Sequence, residues 1–391
     1  MRRTLLLALT TALAPATASS SAAAQSFLGF RALGVPIEAA GARALALGNL
    51  GIGLPDIAVS PTDPAASARL LLPTVTVSMQ PSWGDYNLGD QTGTTNTTRF
   101  PLIAIGYPAT DSGVVTLSLA GHMEQRWVGE RNQVVELGGV DVPIDDHFET
   151  DGGTSVARLG WAQPVSRWLT AGASVGIYVG RLNQLFDRRL DSLVVGPEVR
   201  TYRESYQWGY SGYTFQAGFG LDPHPLVHLG GAIEWSSDLA ETPDENTAGR
   251  VNHYDIPLRL SLGATAGLTQ RLLFNSSVVY QDWSGAQGFA DGVVSDRKVG
   301  WGAGIEWRVV QQEFRSVPIR AGYRSGAPPF RFASQDPIES AWSVGVSFNL
   351  VELESTPLGW IDLGIERATR TSLPLDESFW RGTISLGISR L

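Results

Sequence analysis

The sequence contains no cysteine. A disulfide, a thiolate metal site and a lipid-modified N-terminal cysteine are therefore all excluded. Lysine is almost absent beside arginine, and the net charge is −9. That sign argues against nucleic acid as a partner, because phosphate binding needs a basic surface. Long apolar runs are missing too. Past the first residues, no stretch offers the roughly 20 apolar residues that a membrane-crossing helix requires. A mean hydropathy of −0.01 would ordinarily mark a soluble chain. Transmembrane β-barrels are the exception, since their lipid-facing and lumen-facing residues alternate and cancel in any window average.

The N-terminus reads as an address. Arg2 and Arg3 form a basic start, Leu5 to Ala14 is an apolar stretch too short to span a bilayer, and Ala22, Ala23 and Ala24 supply small residues for cleavage. This pattern predicts a signal peptide over residues 1–24, with cleavage before Gln25. The competing reading is a short N-terminal helix of a cytosolic protein. With the peptide removed, about 365 residues remain, enough for one large domain or two ordinary ones.

What is present in quantity is alternation with period two. Trp342, Val344, Val346, Phe348 and Leu350 share one face, and Ser343, Gly345, Ser347 and Asn349 the other. Leu258, Leu260 and Leu262 oppose Arg259, Ser261 and Gly263 in the same way, and Trp380, Ile384, Leu386 and Ile388 oppose Arg381, Thr383, Ser385 and Gly387. About fourteen such segments can be placed, at roughly 71–83, 97–108, 113–127, 154–164, 168–182, 203–221, 226–236, 256–268, 271–283, 297–311, 317–324, 338–350, 358–367 and 378–390. Most reach the roughly 9–11 residues that a tilted strand needs to cross a bilayer, whereas soluble strands cluster near about 5–6. The links alternate in length. Long ones include 128–153, 183–202, 237–255 and 284–296; short ones include 109–112, 165–167, 222–225 and 269–270. Tight turns at one end and long links at the other are the habit of outer-membrane barrels. Trp83, Trp127, Trp168, Trp235, Trp283, Trp301 and Trp360 fall near predicted strand ends, where an indole suits the headgroup level; the alternative is packing in a core. The fold expected is all-β, a transmembrane antiparallel barrel of about 14 strands over residues 71–391.

Residues 25–70 do not alternate. From Gly41 to Gly48 the chain reads Gly-Ala-Arg-Ala-Leu-Ala-Leu-Gly, followed by Leu54-Pro55-Asp56 and then Asp63-Pro64-Ala65-Ala66. This resembles the N-terminal region of the FadL-like family of outer-membrane transporters for long-chain fatty acids and other hydrophobic compounds, and of its PorV-like relatives. Asp56 stands at that family's acidic turn, and Asp63 and Pro64 stand where it carries Asn-Pro. The final stretch, Asp376 to Arg381 and the alternating strand after it, looks like the family's last strand. The resemblance implies a fourteen-stranded barrel whose N-terminal segment folds inward as a hatch. It also implies diffusive uptake of a hydrophobic small molecule from outer-membrane surroundings.

By the alternation, Arg158, Arg259, Arg308, Arg320, Glu234, Glu306, Asp362 and Glu366 point into the lumen. A charge on the lipid face would cost roughly 2–4 kcal/mol for Arg at the midplane. These residues flank a passage in one reading, with an arginine meeting a ligand carboxylate. In the other they form an ion-pair ladder holding the hatch. Phe27, Leu28, Phe30 and Leu33 are the apolar candidates for ligand contact, with Arg43 beside them on the hatch; equally, the apolar four could simply pack it. Gly41, Gly48, Gly51 and Gly53 could permit tight bends.

Signals for catalysis and metals are weak. Gly172 to Gly176 matches G-x-S-x-G around Ser174, but that chemistry needs a strand-to-helix elbow, and the match lies inside a predicted strand. The five histidines lack metal spacing, and His224 and His228, bracketing a tight turn, read as solvated. Asp145, Asp146, Glu149 and Asp151, and Glu241, Asp244 and Glu245, form acidic links without a recognised cation-ligand spacing. No catalytic residue, metal ligand or cofactor is assigned. Hydrophobic uptake is the first functional reading; a PorV-like barrel binding a secreted protein through its outer loops is the second. A barrel-embedded hydrolase is the third, and no clustered acid, base and nucleophile supports it.

Overall fold

The computed structural model describes residues 26–30, 32–38, 40–55, 58–89, 91–110, 112–191, 201–312, 315–353 and 356–389. Residues 1–24, where a signal peptide is expected, and Asp56 lie outside these. Fourteen long strands follow one another: β1 (Thr74–Leu88), β2 (Gln91–Pro108), β3 (Val114–Leu137), β4 (Val140–Ser166), β5 (Leu169–Leu190), β6 (Tyr202–His224), β7 (Val227–Ser236), β8 (Arg259–Gly267), β9 (Leu272–Asp282), β10 (Arg297–Gln312), β11 (Arg315–Gly326), β12 (Ile338–Leu353), β13 (Thr356–Ser372) and β14 (Leu375–Ser389). Each pairs antiparallel with its chain neighbour, and β14 returns to β1 from Leu375↔Leu88 to Ser389↔Thr74, closing the barrel.

The wall is inside-out relative to a soluble protein, as its alternation dictates. Ser343 and Ser347 are buried while Trp342 is 71% exposed. Along β8, Leu260 and Leu262 face outward, and Ser261 and Thr265 are enclosed. The expected links needed one correction. Segments 84–96 and 128–153 are not irregular loops but continuations of the strands, turning just past Gly89 and at Gly138–Gly139. β4 has 27 residues, about 90 Å of extended chain, far more than a crossing needs. Above the membrane the ladder still satisfies the backbone, while polar and charged residues interrupt the apolar stripe. The end of the apolar stripe therefore precedes the end of the strand.

Tryptophan placement is split. Trp83, Trp168, Trp235 and Trp301 are exposed on the outer wall, but Trp283 and Trp360 are buried and Trp127 is half-buried within an internal aromatic group. Trp360 falls on the inward phase of β13, Trp283 follows β9 into a folded-in link, and a one-residue bulge between Gly121 and Met123 moves Trp127 to the inner face. In the acidic link Asp145 and Asp151 are exposed, whereas Asp146 is buried and pairs with Arg131 at 2.7 Å and Arg188 at 2.6 Å.

Residues 40–55 and 58–70 lie inside the barrel. One helical turn, α1 (Ala42–Ala46), has no side-chain cap of its own, and Ser385 of β14 accepts the Ala42 N–H at 2.9 Å instead. Gly48 and Gly53 adopt positive φ, 61° and 71°. Their backbones rest directly on wall glycines: a Cβ at Gly302 would meet Gly48 O at 1.8 Å, and one at Gly263 would meet Ile52 O at 2.3 Å. Much of the sequence's glycine thus lets one backbone lie against another. Gly41, by contrast, is extended at φ −112.

Candidate functional site

The N-terminal segment is tied to the lumen by polar contacts on nearly every side. Asn49, fully buried, donates to Asn275 of β9 at 2.7 Å and to Ile52 O at 3.0 Å, and accepts from Gly51 N and Ile52 N. Thr265 donates to Gly53 O, Gln216 to Thr62 O, and Ser343 to Ala46 O. Arg43 bonds Glu306 of β10 at 3.1 Å and Pro55 O at 2.8 Å. Glu38 meets Arg259 at 3.3 Å and also binds Lys298. Burial pushes the Glu38 carboxyl up, but these two cations outweigh it and hold the group at about 2.

The inward arginines are consumed by carboxylates. Arg158 binds Glu234; Arg320 bridges Glu306 at 2.8 Å and Asp362 at 3.1 Å; Arg381 reaches Glu366 at 2.7 Å. Arg308 differs: it is exposed at the tight-turn end of the lumen, 3.9 Å from Glu306. There it borders a depression of about 270 Å³ with Arg69, Asp222, His228 and Arg271. His228 is not solvated as its turn suggested. Its phase faces inward, and Asp222 and Arg69 hold its ring at 3.0 Å each. Ser174 lies within continuous β5, its hydroxyl on Gln216 at 3.3 Å, so the elbow that its motif requires is not formed.

Asp63 and Pro64 open a turn into the short helical stretch at Ala66–Arg69. The Asp63 carboxylate accepts from Gly53 N at 3.0 Å and Ala66 N at 3.2 Å, and Pro64 packs on the wall beside Gly172 and Gly218. Burial pushes Asp63 up to about 6, against the pull of those N–H groups and Arg69.

The apolar residues before α1 occupy the opposite, long-hairpin half of the lumen. Leu33 is buried in a cluster with Met123, Val156, Tyr178, Leu182 and Tyr210, roofed by Leu239, Trp283 and Phe330 from the links. Leu28 packs with Val35, Phe332 and Leu375. Phe27 touches Tyr86, Trp127 and Phe332 at ring separations of 5.6–5.7 Å, and Phe30 lies 5.0 Å from Trp127. The four apolar candidates therefore converge on aromatic and aliphatic surface, while the inward arginines are spread along the lumen, from Arg308 at the tight turns to Arg259 at the long-link end of β8.

Beside this cluster the wall is incomplete. β2 and β3 pair only from Leu102↔Ala120 to Pro108↔Val114. Above that, β2 continues with β1 alone and β3 with β4 alone. Two local faults coincide there. Pro101 has no N–H to donate, and the register shifts between Ser78↔Leu102 and Gln80↔Arg99 place an extra residue in β2. In β3, His122 is the bulged residue. The edge that β3 would offer β2 is taken instead by residues 35–37. Val35 and Pro36 pair with Glu124 and Met123, and Ile37 N donates to His122 O at 2.9 Å. Arg99–Glu124, at 2.5 Å, and Arg126, donating to Thr97 at 3.0 Å, bridge the slot. Sequence reading did not find this slot; Pro101 was its one legible signal.

No family model matches the sequence, and no curated protein does. Solved structures do match. The toluene transporter TbuX of Ralstonia pickettii shares 14% identity at a TM-score of 0.58, over 90% of this chain and 99% of that one. A Pseudomonas aeruginosa FadL homologue gives 14% and 0.59, over 91% and 99%. The toluene transporter TodX of Pseudomonas putida gives 12% and 0.59, over 92% and 99%. At such identity the likeness is one of fold, and the fold is that of the FadL-like transporters.

Proposed function

We propose that the protein is a bacterial outer-membrane channel that takes up small hydrophobic molecules by passive diffusion, with residues 25–70 as its hatch and residues 1–24 as the export signal. One observation carries this reading: an apolar, aromatic cluster around Leu33 fills the long-hairpin half of the lumen, directly beside the β2–β3 slot. A channel for hydrated solutes gains nothing from such a cluster, whereas a hydrocarbon is stabilised there by about 25 cal/mol per Å² of buried surface. The structure is a closed state. The cavity between the N-terminal segment and the wall at Val59, Leu102 and Trp360 is about 70 Å³, well below the roughly 300 Å³ at which ligand pockets begin. Uptake then requires residues 27–37 to give way, letting the ligand replace Leu33 and leave through the slot. The Arg43–Glu306 and Arg259–Glu38 contacts hold the rest of the hatch, Arg320 orients Glu306 from the wall, and Arg308 stands exposed at the tight-turn mouth.

The descriptions of the similar structures, toluene transporter and monoaromatic hydrocarbon channel, support a small aromatic substrate, with fatty acids as the wider class. Native mass spectrometry of the detergent-purified protein, followed by extraction and identification of bound small molecules, tests the proposal. A stoichiometric hydrocarbon or fatty acid, displaced when Leu33→Trp fills the cluster, is the expected result. The second reading, a barrel that docks a secreted protein, rests on the exposed apolar tip of the β3–β4 hairpin, where Val134 is 63% and Val140 51% exposed. An empty barrel that co-purifies with a protein, and loses it when both valines become serine, would favour that reading instead.

A further inference from the structure

A row of side chains crosses six adjacent strands on the outer wall. Trp301 of β10 stacks near Tyr323 of β11 at 5.5 Å, and Tyr323 near Trp342 of β12 at 4.7 Å. The register then runs Trp342↔Arg367, Arg367↔Trp380 and Trp380↔Trp83, through β13 and β14 to β1. Arg367 is the one charged member. Its guanidinium carbon lies 5.3 Å from the Trp380 ring, and its Nη2 donates to Ser378 Oγ at 3.0 Å. Among the described residues no carboxylate pairs with it, whereas the inward arginines of the same strands, Arg370 and Arg381, both have carboxylate partners.

The row marks a boundary. Toward the tight turns the outward positions are apolar: Val344, Val346 and Phe348 on β12, Leu363 and Ile365 on β13, Ile384 and Leu386 on β14. Toward the long hairpins they become Ser340, Thr369, Thr371 and Ser378, with Ile338 and Leu373 at the very ends. The aromatic row therefore sits at the headgroup level of the leaflet on the long-hairpin side. That side faces the cell exterior, since short turns face the periplasm in such barrels. An arginine held over an indole, with its apolar stem against the wall and its charge unneutralised, needs an anion at that depth. Asp376, the outward acid of β14, stands four residues beyond Trp380, about 13 Å along the strand.

We infer that Arg367, framed by Trp342 and Trp380, is a seat for a phosphate group of a phosphorylated glycolipid of the outer leaflet, with the hydroxyl band above it meeting the sugar. The inference rests on the outer-membrane location but not on the transported substrate. Planar guanidinium–phosphate pairing supplies the contact. The hydroxyls of Thr369, Thr371 and Ser340 favour a sugar headgroup over a simple glycerophospholipid.

The test is binding by the purified full-length protein, read by native mass spectrometry with three probes: lipid A, lipid A stripped of its phosphates, and phosphatidylglycerol. Wild type should retain lipid A, and Arg367→Gln should weaken it about tenfold, as expected for one charge-assisted hydrogen-bonded pair. Arg367→Lys should fall between, and the stripped lipid should bind both proteins equally weakly. Heat-modifiable gel migration, unchanged in the variants because the side chain faces outward, confirms that the barrel is intact. Equal binding of lipid A and its stripped form by wild type, or no loss in Arg367→Gln, overturns the seat; equal retention of phosphatidylglycerol overturns the glycolipid assignment. Mislocalisation of the protein in cells would overturn the location while leaving these binding results to stand or fall separately.

Discussion

Asp63 gives the N-terminal segment a pH response. Its carboxyl is raised from 3.8 to about 6 by burial. A raised carboxylate contributes stability fully below the unfolded value and loses it as pH rises through the folded one. The segment should be held more tightly near pH 4 than near pH 7, by about 3 kcal/mol at most. Hydrogen-exchange protection of residues 51–66, corrected for intrinsic rates, should fall across that interval, and Asp63→Asn should abolish the difference. Glu38 cannot mimic this, because its carboxyl, held at about 2, stabilises above its unfolded value and fails only as pH falls through 2. At Asn49 the expectation is simpler. Asn49→Ala leaves the Gly51 and Ile52 N–H groups and Asn275 Oδ1 without the partners Asn49 supplies, at a cost of about 3 kcal/mol. The same exchange experiment should show the loss at residues 48–54. The inward phase of Arg158, Arg259 and Arg320 was legible in the sequence, because alternation fixes a face. Their partners were not: Glu38 and Arg259 lie 221 positions apart, and no local pattern joins them.

At the scale of elements, strand identity was readable and strand extent was not. The apolar stripe ends at the membrane surface, while pairing of β3 with β4 runs on to Leu137↔Val140. Nor did periodicity reveal the slot, because a single inserted residue such as His122 changes the phase after it without altering composition. The slot makes a prediction in which the absence of native cysteine is an advantage. Pro36→Cys with Met123→Cys places two thiols at facing positions of an antiparallel pair, within reach of a disulfide. Oxidation should stop uptake of a hydrophobic probe such as radiolabelled toluene into cells, and reduction should restore it. Uptake unaffected by the cross-link would show that residues 35–37 do not have to move.

For the whole molecule, the barrel and the segment inside it are separable in principle. The wall pairs with itself all the way round, and its own arginines find carboxylates on neighbouring strands, as Arg324 does with Glu339 and Glu366. Deleting residues 26–70 while keeping the export signal should therefore leave a folded, heat-modifiable barrel. In planar bilayers it should conduct ions at a level that the intact protein, plugged by that segment, does not approach. If the deletion variant folds yet stays silent, the lumen is closed by the wall residues and links alone.

The contact between Ser26 and Glu377 spans 351 positions, nearly the entire chain. The first residues to be exported thus receive their partners only when the last strand is delivered. Contacts of such sequence separation carry a large loop-closure cost before they return any stability. The contacts of the leading segment with β14, at Ser26 and at Ala42, cannot form until that strand is in place. Maturation of this protein should accordingly be slow and dependent on holding chaperones, with the plug settling as its final step.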